Sequence, residues 1–211
     1  IDVETLLAPV GTGEILSGPF VKSSPFYNHE VAPHGHTPMD SEALLTAAGY
    51  EYDGLSWTLD GKPLSVTITA HKSLEASQEV VINLQSQLQR QGIEVDVDFL
   101  DDVSWKAQVW RERDFELILS QWSFDRNEDI WDQFHSEGSR NFIAYQSETV
   151  DELLDQARNT TDPQLKKQSL RKIHRILQDE TPMVFLWTLD SYSAMRTRIE
   201  NVVIHPFYFF T

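Results

Sequence analysis

The stretch from residue 115 to residue 136 contains the residue types best suited to hold a polar ligand. An apolar run at residues 115–120 is followed by a sharp change to polar sequence at Trp122-Ser-Phe-Asp125. An indole offers a broad apolar wall and a carboxylate can pair with an ammonium group, so Trp122 and Asp125 suit a ligand of mixed character. The alternative is that Trp122 packs in the core while Asp125 caps a helix near Asp129. These residues alone leave both interpretations open.

The apolar run has the length of a strand and shows no polar alternation, which is typical of a central strand in an α/β sheet. Such sheets bind their ligands at the carboxyl ends of the strands, where loops and the first turns of helices converge. We therefore expect residues 115–120 to form a central strand, with Trp122 and Asp125 at its mouth.

The sequence lacks the motifs that catalysis or a metal site would require. Ser123 lies near Asp125, but no histidine stands at a recognisable spacing, and there is no nucleophile elbow, phosphate-binding glycine loop or zinc-binding helix pair. His34-Gly-His36 has no third ligand nearby, and the adjacent acids Glu128 and Asp129 are typical of solvated or capping residues. We therefore predict that the protein is not an enzyme and has no catalytic residue, metal site or cofactor.

The composition narrows the classes of partner. The chain has 17 Lys and Arg against 33 Asp and Glu, a net charge of -16, which makes nucleic acid and anionic membrane surfaces poor partners. It has no cysteine, so disulfides and thiolate metal sites are excluded. No apolar run approaches the length of a membrane span. Because the sequence starts at Ile1-Asp-Val-Glu-Thr without a methionine, we expect a piece of a longer protein whose targeting segment lies elsewhere.

Strand and helix patterns alternate along the chain and predict one α/β domain over residues 1–211. A hairpin at Asp60-Gly61 leads into a strand at 64–69, a helix at 73–91 and a second strand at 93–99. An amphipathic helix at 104–113 then precedes the run at 115–120, which predicts a mixed sheet flanked by helices. The remaining predicted elements are helices at 40–48, 147–157 (capped by Ser147) and 163–178 (after Asp162-Pro163), and strands at 183–187 and 192–195.

The sequence resembles, over essentially its whole length, the extracytoplasmic solute-binding proteins of peptide and nickel ABC transporters. Nine short motifs occur in the order found in that family, and their order makes the resemblance specific. They are Ser17-Gly-Pro-Phe20, Ser24-Pro-Phe-Tyr-Asn28, Glu42-Ala-Leu-Leu45 to Ala48-Gly-Tyr50, Asp60-Gly-Lys-Pro-Leu64, Leu88-Gln-Arg-Gln-Gly-Ile93, Trp122-Ser-Phe-Asp125, Phe134-His-Ser136, Asn141-Phe-Ile-Ala-Tyr145 and Thr181-Pro-Met-Val184.

The resemblance implies a carboxyl-terminal ligand-binding lobe, cut from a larger two-lobed protein with a type II periplasmic binding protein-like fold. In peptide-binding members, a tryptophan and an aspartate spaced as Trp122 and Asp125 meet the ligand, and the aspartate pairs with the peptide's α-amino group. Many members have Asp-Pro shortly after this aspartate, whereas this chain continues with Arg126-Asn-Glu-Asp-Ile130. The candidate ligand-binding residues are Trp122, Ser123, Phe124, Asp125, Arg126, Trp105 and Trp187.

Besides Trp122 and Asp125, three more of these candidates have a structural alternative. Trp105 and Trp187 either line side-chain pockets, as the resemblance implies, or pack in the core. Arg126 either contacts a ligand carboxylate or pairs with Glu128 at the surface.

The resemblance also implies a function. We expect a monomeric solute-binding component of an ABC transporter that traps a short peptide between two lobes and delivers it to a membrane permease. The protein would be periplasmic or extracytoplasmic, associated with the membrane through the transporter, and without a nucleic acid partner. The alternatives are a nickel, haem or oligosaccharide ligand on the same scaffold, or a solute-sensing domain of a regulator.

Overall fold

The computed structural model of the chain describes residues 1–74, 77–124 and 127–190, together with Arg196 and Arg198. The chain divides into two compact units. Unit 1 comprises Ile1–Ser17, Ala32–Gln121 and Phe185–Trp187, and unit 2 comprises Gly18–Val31, Trp122–Val184 and the described residues after Trp187.

Unit 1 contains helices and most of the strands in the described part of the chain. Its elements are α1 (Val3–Leu7), β1 (Gly13–Ile15), α2 (Pro38–Ala47), β2 (Glu51–Tyr52), β3 (Trp57–Leu59), β4 (Lys62–Pro63), β5 (Ser65–His71), α3 (Ser77–Arg90), β6 (Glu94–Leu100), α4 (Asp102–Trp105) and β7 (Leu117–Leu119). A π-helical segment, Lys106–Glu112, continues directly from α4. None of the helices in the described part of the chain is both long enough and apolar enough to cross a membrane.

The main sheet of unit 1 is parallel, with strand order β6-β5-β7. In the register, His71 at the end of β5 lies opposite Leu100 of β6, and Ala70 lies opposite Leu119 of β7. The helix α3 packs on this sheet through Val81, whose side chain is buried with those of the strands. Because all three strands run in the same direction, their carboxyl ends lie at one edge of the sheet.

The prediction of a central strand at residues 115–120 is wrong. β7 has only three residues and lies at an edge of the described sheet, where Leu117 is 45% exposed. The central strand is β5, on which Ile68, Thr69 and Ala70 are buried. An apolar run indicates a strand, but the number of neighbours on each side depends on residues far away in the sequence.

The hairpin at Asp60-Gly61 is confirmed. Both residues have positive φ, 51° and 72°, as a two-residue type I′ turn requires, and Leu59 pairs with Lys62 across it. Strands β2, β3 and β4 form a separate antiparallel sheet. The α/β class with both parallel and antiparallel strands, flanked by helices, is therefore confirmed, with the two kinds of pairing in separate sheets.

Unit 2 is built mainly from helices. They are α5 (Trp131–Phe134), α6 (Glu148–Asn159) and α7 (Pro163–Glu180). The apolar stripes of α6 and α7 are buried; they consist of Val150, Leu154, Ala157, Leu170, Ile173 and Leu177. Both long helices were predicted from this spacing, since residues three or four apart share one face of a helix.

Two further element predictions are inaccurate. The helix predicted at 40–48 begins earlier, at Pro38, where proline is well tolerated in a first turn. The strand predicted at 183–187 is wrong: regular pairing begins at Trp187 in β8 (Trp187–Leu189), and Val184 is exposed. β8 forms a two-stranded sheet with β1, next to which the amide of Leu16 donates to the carbonyl oxygen of Leu186. The strand predicted at 192–195 lies outside the described residues.

Candidate functional site

The predicted ligand-binding residues belong to both units. Trp105 and Trp187 are in unit 1, whereas Trp122, Ser123 and Phe124 are in unit 2. Asp125 and Arg126 lie outside the described residues, so their predicted roles stay predictions.

Trp122 is partly anchored and partly exposed. Its ring meets the ring of Phe134 edge to face at 6.4 Å between centroids, and that of Phe124 at 6.2 Å. Phe134 is fully buried, while Phe124 stacks on the buried Phe20 at 6.0 Å. Trp122 nevertheless keeps 39% of its surface accessible. Its indole therefore rests on the core of unit 2 and still presents an apolar surface, and Ser123 beside it is exposed.

The acids that follow, Glu128 and Asp129, are held by structural contacts. The hydroxyl of Ser24 donates to the carboxylate of Glu128, which has a positive φ of 49°. The carboxylate of Asp129 accepts the backbone N–H of Trp131 at 3.0 Å and forms a 2.9 Å salt bridge with Arg158. These contacts fix the backbone just after residues 125 and 126, and they agree with a capping role for Asp129.

The sequence did not predict the aromatic stack around Trp131. The ring of His135 stacks on the indole at 4.1 Å, and the guanidinium of Arg158 lies 4.7 Å from its centroid. The indole N–H also donates to Asp155 at 2.8 Å. Asp155 and Arg158 are three residues apart and so share one face of α6, which is the signal that could have indicated this cluster.

Trp105 is 8% exposed and packs in a small apolar cluster of unit 1. The other buried residues of that cluster are Leu100 and Val109. The helix α4 that carries it is capped by Asp101, whose carboxylate accepts the N–H groups of Ser104 at 2.9 Å and of Val103 at 3.1 Å. The hydrogen bond from the backbone of Ser104 is the main reason that the pKa of Asp101 is lowered.

His71 contacts Trp105 and was not singled out by the sequence. The two rings meet edge to face, with 5.5 Å between centroids and an angle of 86°. The Nε2 atom of His71 lies 2.8 Å from a carboxylate oxygen of Asp102, and its Nδ1 atom lies 2.8 Å from the hydroxyl oxygen of Ser73. The spacing His-x-Ser at the end of a strand is the only signal for this cluster in the sequence.

The serine, histidine and aspartate of this cluster do not form an activated nucleophile. The backbone N–H of Ser73 also points to Nδ1 of His71, at 3.2 Å, so we assign the proton to Nε2, which donates to Asp102. The Nδ1 lone pair then already accepts a backbone hydrogen bond and is not free to take the hydroxyl proton. The geometry thus favours a structural role for Ser73.

Trp187 is partly buried at the start of β8. His34 and His36 are exposed. Within the described ranges, no group of three or more His, Cys, Asp or Glu side chains is placed to hold a metal ion.

Comparison with known proteins shows a consistent similarity. Residues 1–142 match the family described as bacterial extracellular solute-binding proteins, family 5 Middle. The chain is 24% identical to the oligopeptide-binding protein AppA of Bacillus subtilis over 222 residues, covering 98% of this chain and 40% of AppA. It therefore spans about two fifths of the length of that relative.

Solved structures show the same fold. The structure of AppA in complex with a nonapeptide has a TM-score of 0.81 at 22% identity and covers 89% of this chain and 39% of AppA. The structure of NikA from Brucella suis in complex with Fe(III)-EDTA has a TM-score of 0.77 at 20% identity, covering 90% of this chain and 40% of NikA. These similarities confirm the predicted type II periplasmic binding protein-like fold. Since the family match covers most of the sequence, the chain belongs to the bacterial extracellular solute-binding proteins of family 5.

Proposed function

We propose that this chain is the carboxyl-terminal ligand-binding lobe of a solute-binding protein that delivers a short peptide to an ABC permease. The observation that carries the proposal is the anchored, 39% exposed indole of Trp122. It stands at the position where the sequence predicts a ligand wall, and a buried Phe134 supports it from behind. The family and the peptide-binding name of the relative AppA point to the same class of ligand.

In the proposed complex, Trp122 forms an apolar wall and Asp125 pairs with the α-ammonium group of the peptide. An ammonium group removed from water needs a partner charge, which a single carboxylate supplies. Ser123 and Phe124 complete this contact, and Arg126 meets a ligand carboxylate. Trp105 and Trp187 line pockets for peptide side chains. Recognition of the peptide backbone, with water filling the pockets, accommodates varied sequences.

The proposed mechanism depends on a second lobe. Closure of two lobes buries the ligand, and its contacts with both lobes favour the closed state over the open one. We therefore propose that the complete protein is a monomer, that it works outside the cytoplasm beside its permease, and that it does not catalyse a reaction on its ligand. The isolated lobe is expected to bind peptides weakly.

Calorimetry on the intact binding protein tests the role of Asp125. We expect Asp125→Asn to weaken trialanine binding by about 3 to 5 kcal/mol, because one partner of a buried charge pair is lost. N-acetylated trialanine has no ammonium group, so its affinity for the parent should be low and should not fall further in the variant. The matched control is Asp60→Asn, since Asp60 is an exposed acid in a hairpin turn.

Equal affinity of parent and Asp125→Asn for trialanine would eliminate the proposed ion pair. Trp122→Ala provides a second test in the same assay, because it removes the apolar wall without changing charge. Unchanged binding in that variant would contradict the role of Trp122.

A further inference from the structure

His71 stands at the carboxyl end of the central strand β5 with both ring nitrogens engaged. We propose that His71, held by Asp102 and Ser73, is a positioning residue that fixes the indole of Trp105 as a wall of the ligand site. The orientation of that wall would then set the preference for the ligand's side chain. This inference rests on the proposed peptide-binding function, and on the pocket role of Trp105 within it.

The contact between His71 and Trp105 lies at the carboxyl ends of two neighbouring strands, where α/β sheets bind their ligands. His71 is the last residue of β5 and lies opposite Leu100, the last residue of β6. The chain continues from Leu100 through Asp101 into α4, whose last residue, Trp105, contacts His71. The edge-to-face geometry of the two rings, at 86°, is the favourable arrangement for aromatic pairs. A rotation of the imidazole would remove this support from one side of the indole.

The imidazole cannot rotate freely because hydrogen bonds hold it at two points. Asp102 accepts from Nε2 at 2.8 Å, and the backbone N–H of Ser73 donates to Nδ1 at 3.2 Å. The side chain of His71 is 20% exposed and that of Asp102 is 75% exposed, so the pair lies at the surface of the sheet edge rather than deep in the core. The two hydrogen bonds give the imidazole a defined orientation.

The helix that carries Trp105 has an unusual form on its other side. The π-helical segment Lys106–Glu112 begins immediately after Trp105. Wider π-type turns occur frequently at functional sites, where they shift side chains relative to a regular α-helix. Two features therefore fix the position of Trp105: the ring contact with His71 and the π-helical backbone that follows Trp105.

A double-mutant cycle on the intact binding protein tests the proposal. Calorimetry would compare trityrosine, which has a bulky side chain at every position, with trialanine. We expect His71→Ala to lower the affinity for trityrosine at least tenfold more than that for trialanine. His71→Gln, which retains a donor for Asp102, should recover most of the loss. In a Trp105→Ala background, removal of His71 should change the ratio of the two affinities less than twofold.

Two outcomes of the cycle would overturn the inference. One is an equal loss for both peptides in His71→Ala, which would indicate general destabilisation. The other is a change in the affinity ratio that persists in the Trp105→Ala background, which would show that His71 does not act through Trp105.

A second readout needs no ligand. The indole N–H resonance of Trp105, assigned by its disappearance in Trp105→Phe, should shift in His71→Ala and in Asp102→Asn. The control Asp96→Asn changes an exposed acid on β6 and should leave it in place. An unshifted resonance in His71→Ala overturns the positioning role. If the unmutated protein binds neither peptide, that result contradicts the proposed function. In that case a shifted indole resonance in His71→Ala still supports the contact between His71 and Trp105.

Discussion

Gly18 is a residue whose missing side chain permits the packing of unit 2. A Cβ atom at this position would lie 2.5 Å from Cδ2 of His174, which is fully buried in α7. The same imidazole meets the ring of Tyr27 edge to face at 4.8 Å and accepts the backbone N–H of Asn28. The ring therefore cannot move aside without disturbing the segment that contains Gly18, Tyr27 and Asn28.

We predict that Gly18→Ala destabilises the protein by about 1 to 3 kcal/mol, the usual cost of adding atoms to a packed core. The free energy of unfolding in urea is the measurement. Gly35→Ala is the matched control, because its nearest neighbour atom would be 3.9 Å away, and it should change stability by less than about 0.5 kcal/mol. Similar stabilities of the two variants would show that His174 yields to the extra methyl group.

At the scale of elements, the two long helices of unit 2 begin in different ways. Asp162 precedes α7 and its carboxylate accepts the backbone N–H of Gln164 at 2.8 Å. Ser147 occupies the equivalent position before α6, but its side chain makes no capping hydrogen bond. A capping side chain stabilises a helix only when it pairs with one of the first free N–H groups.

We predict that Asp162→Ala lowers the free energy of unfolding by about 1 kcal/mol, while Ser147→Ala has a clearly smaller effect. Urea unfolding of both variants measures the difference, and helical circular dichroism checks that α6 and α7 are retained. A larger loss in Ser147→Ala than in Asp162→Ala would contradict this assignment of the caps.

Local sequence predicted these helices well because their signals lie within a few residues. Asp162-Pro163 marks the start of α7, and the spacing of Ile173 and Leu177 marks its buried face. The hydrogen bond expected from Ser147 did not form, since it depends on a side-chain rotamer that a residue type does not determine. The edge position of β7 was also missed, because strand order is set by contacts between residues far apart in sequence.

In the candidate site, too, local sequence indicated some features and missed those that depend on long-range contacts. Trp122 was predicted as a ligand-binding residue because an aromatic residue there follows a strand; the side chain is 39% exposed, and its role stays a prediction. The cluster of His71, Asp102 and Trp105 was missed because it joins the ends of two strands through a parallel crossover. Residues 71 and 102 become neighbours only when β5 and β6 pair, so no short motif in the sequence contains both.

At the scale of the whole molecule, we propose that this chain supplies one part of a ligand-binding protein. It spans about 40% of the length of the relative AppA and folds into two compact units that both carry candidate ligand residues. A ligand held by two lobes would make contacts that neither lobe supplies alone. The central claim, that the ligand is a short peptide, therefore has to be tested on the complete protein.

Native mass spectrometry of the full-length protein, purified without denaturation, is the most direct test of that claim. Fragmentation of any co-purified mass would identify the ligand. The proposed function predicts a series of short peptides of varied sequence. A single bound mass that corresponds to nickel, haem or an oligosaccharide would contradict the peptide assignment while leaving the fold and the family unchanged.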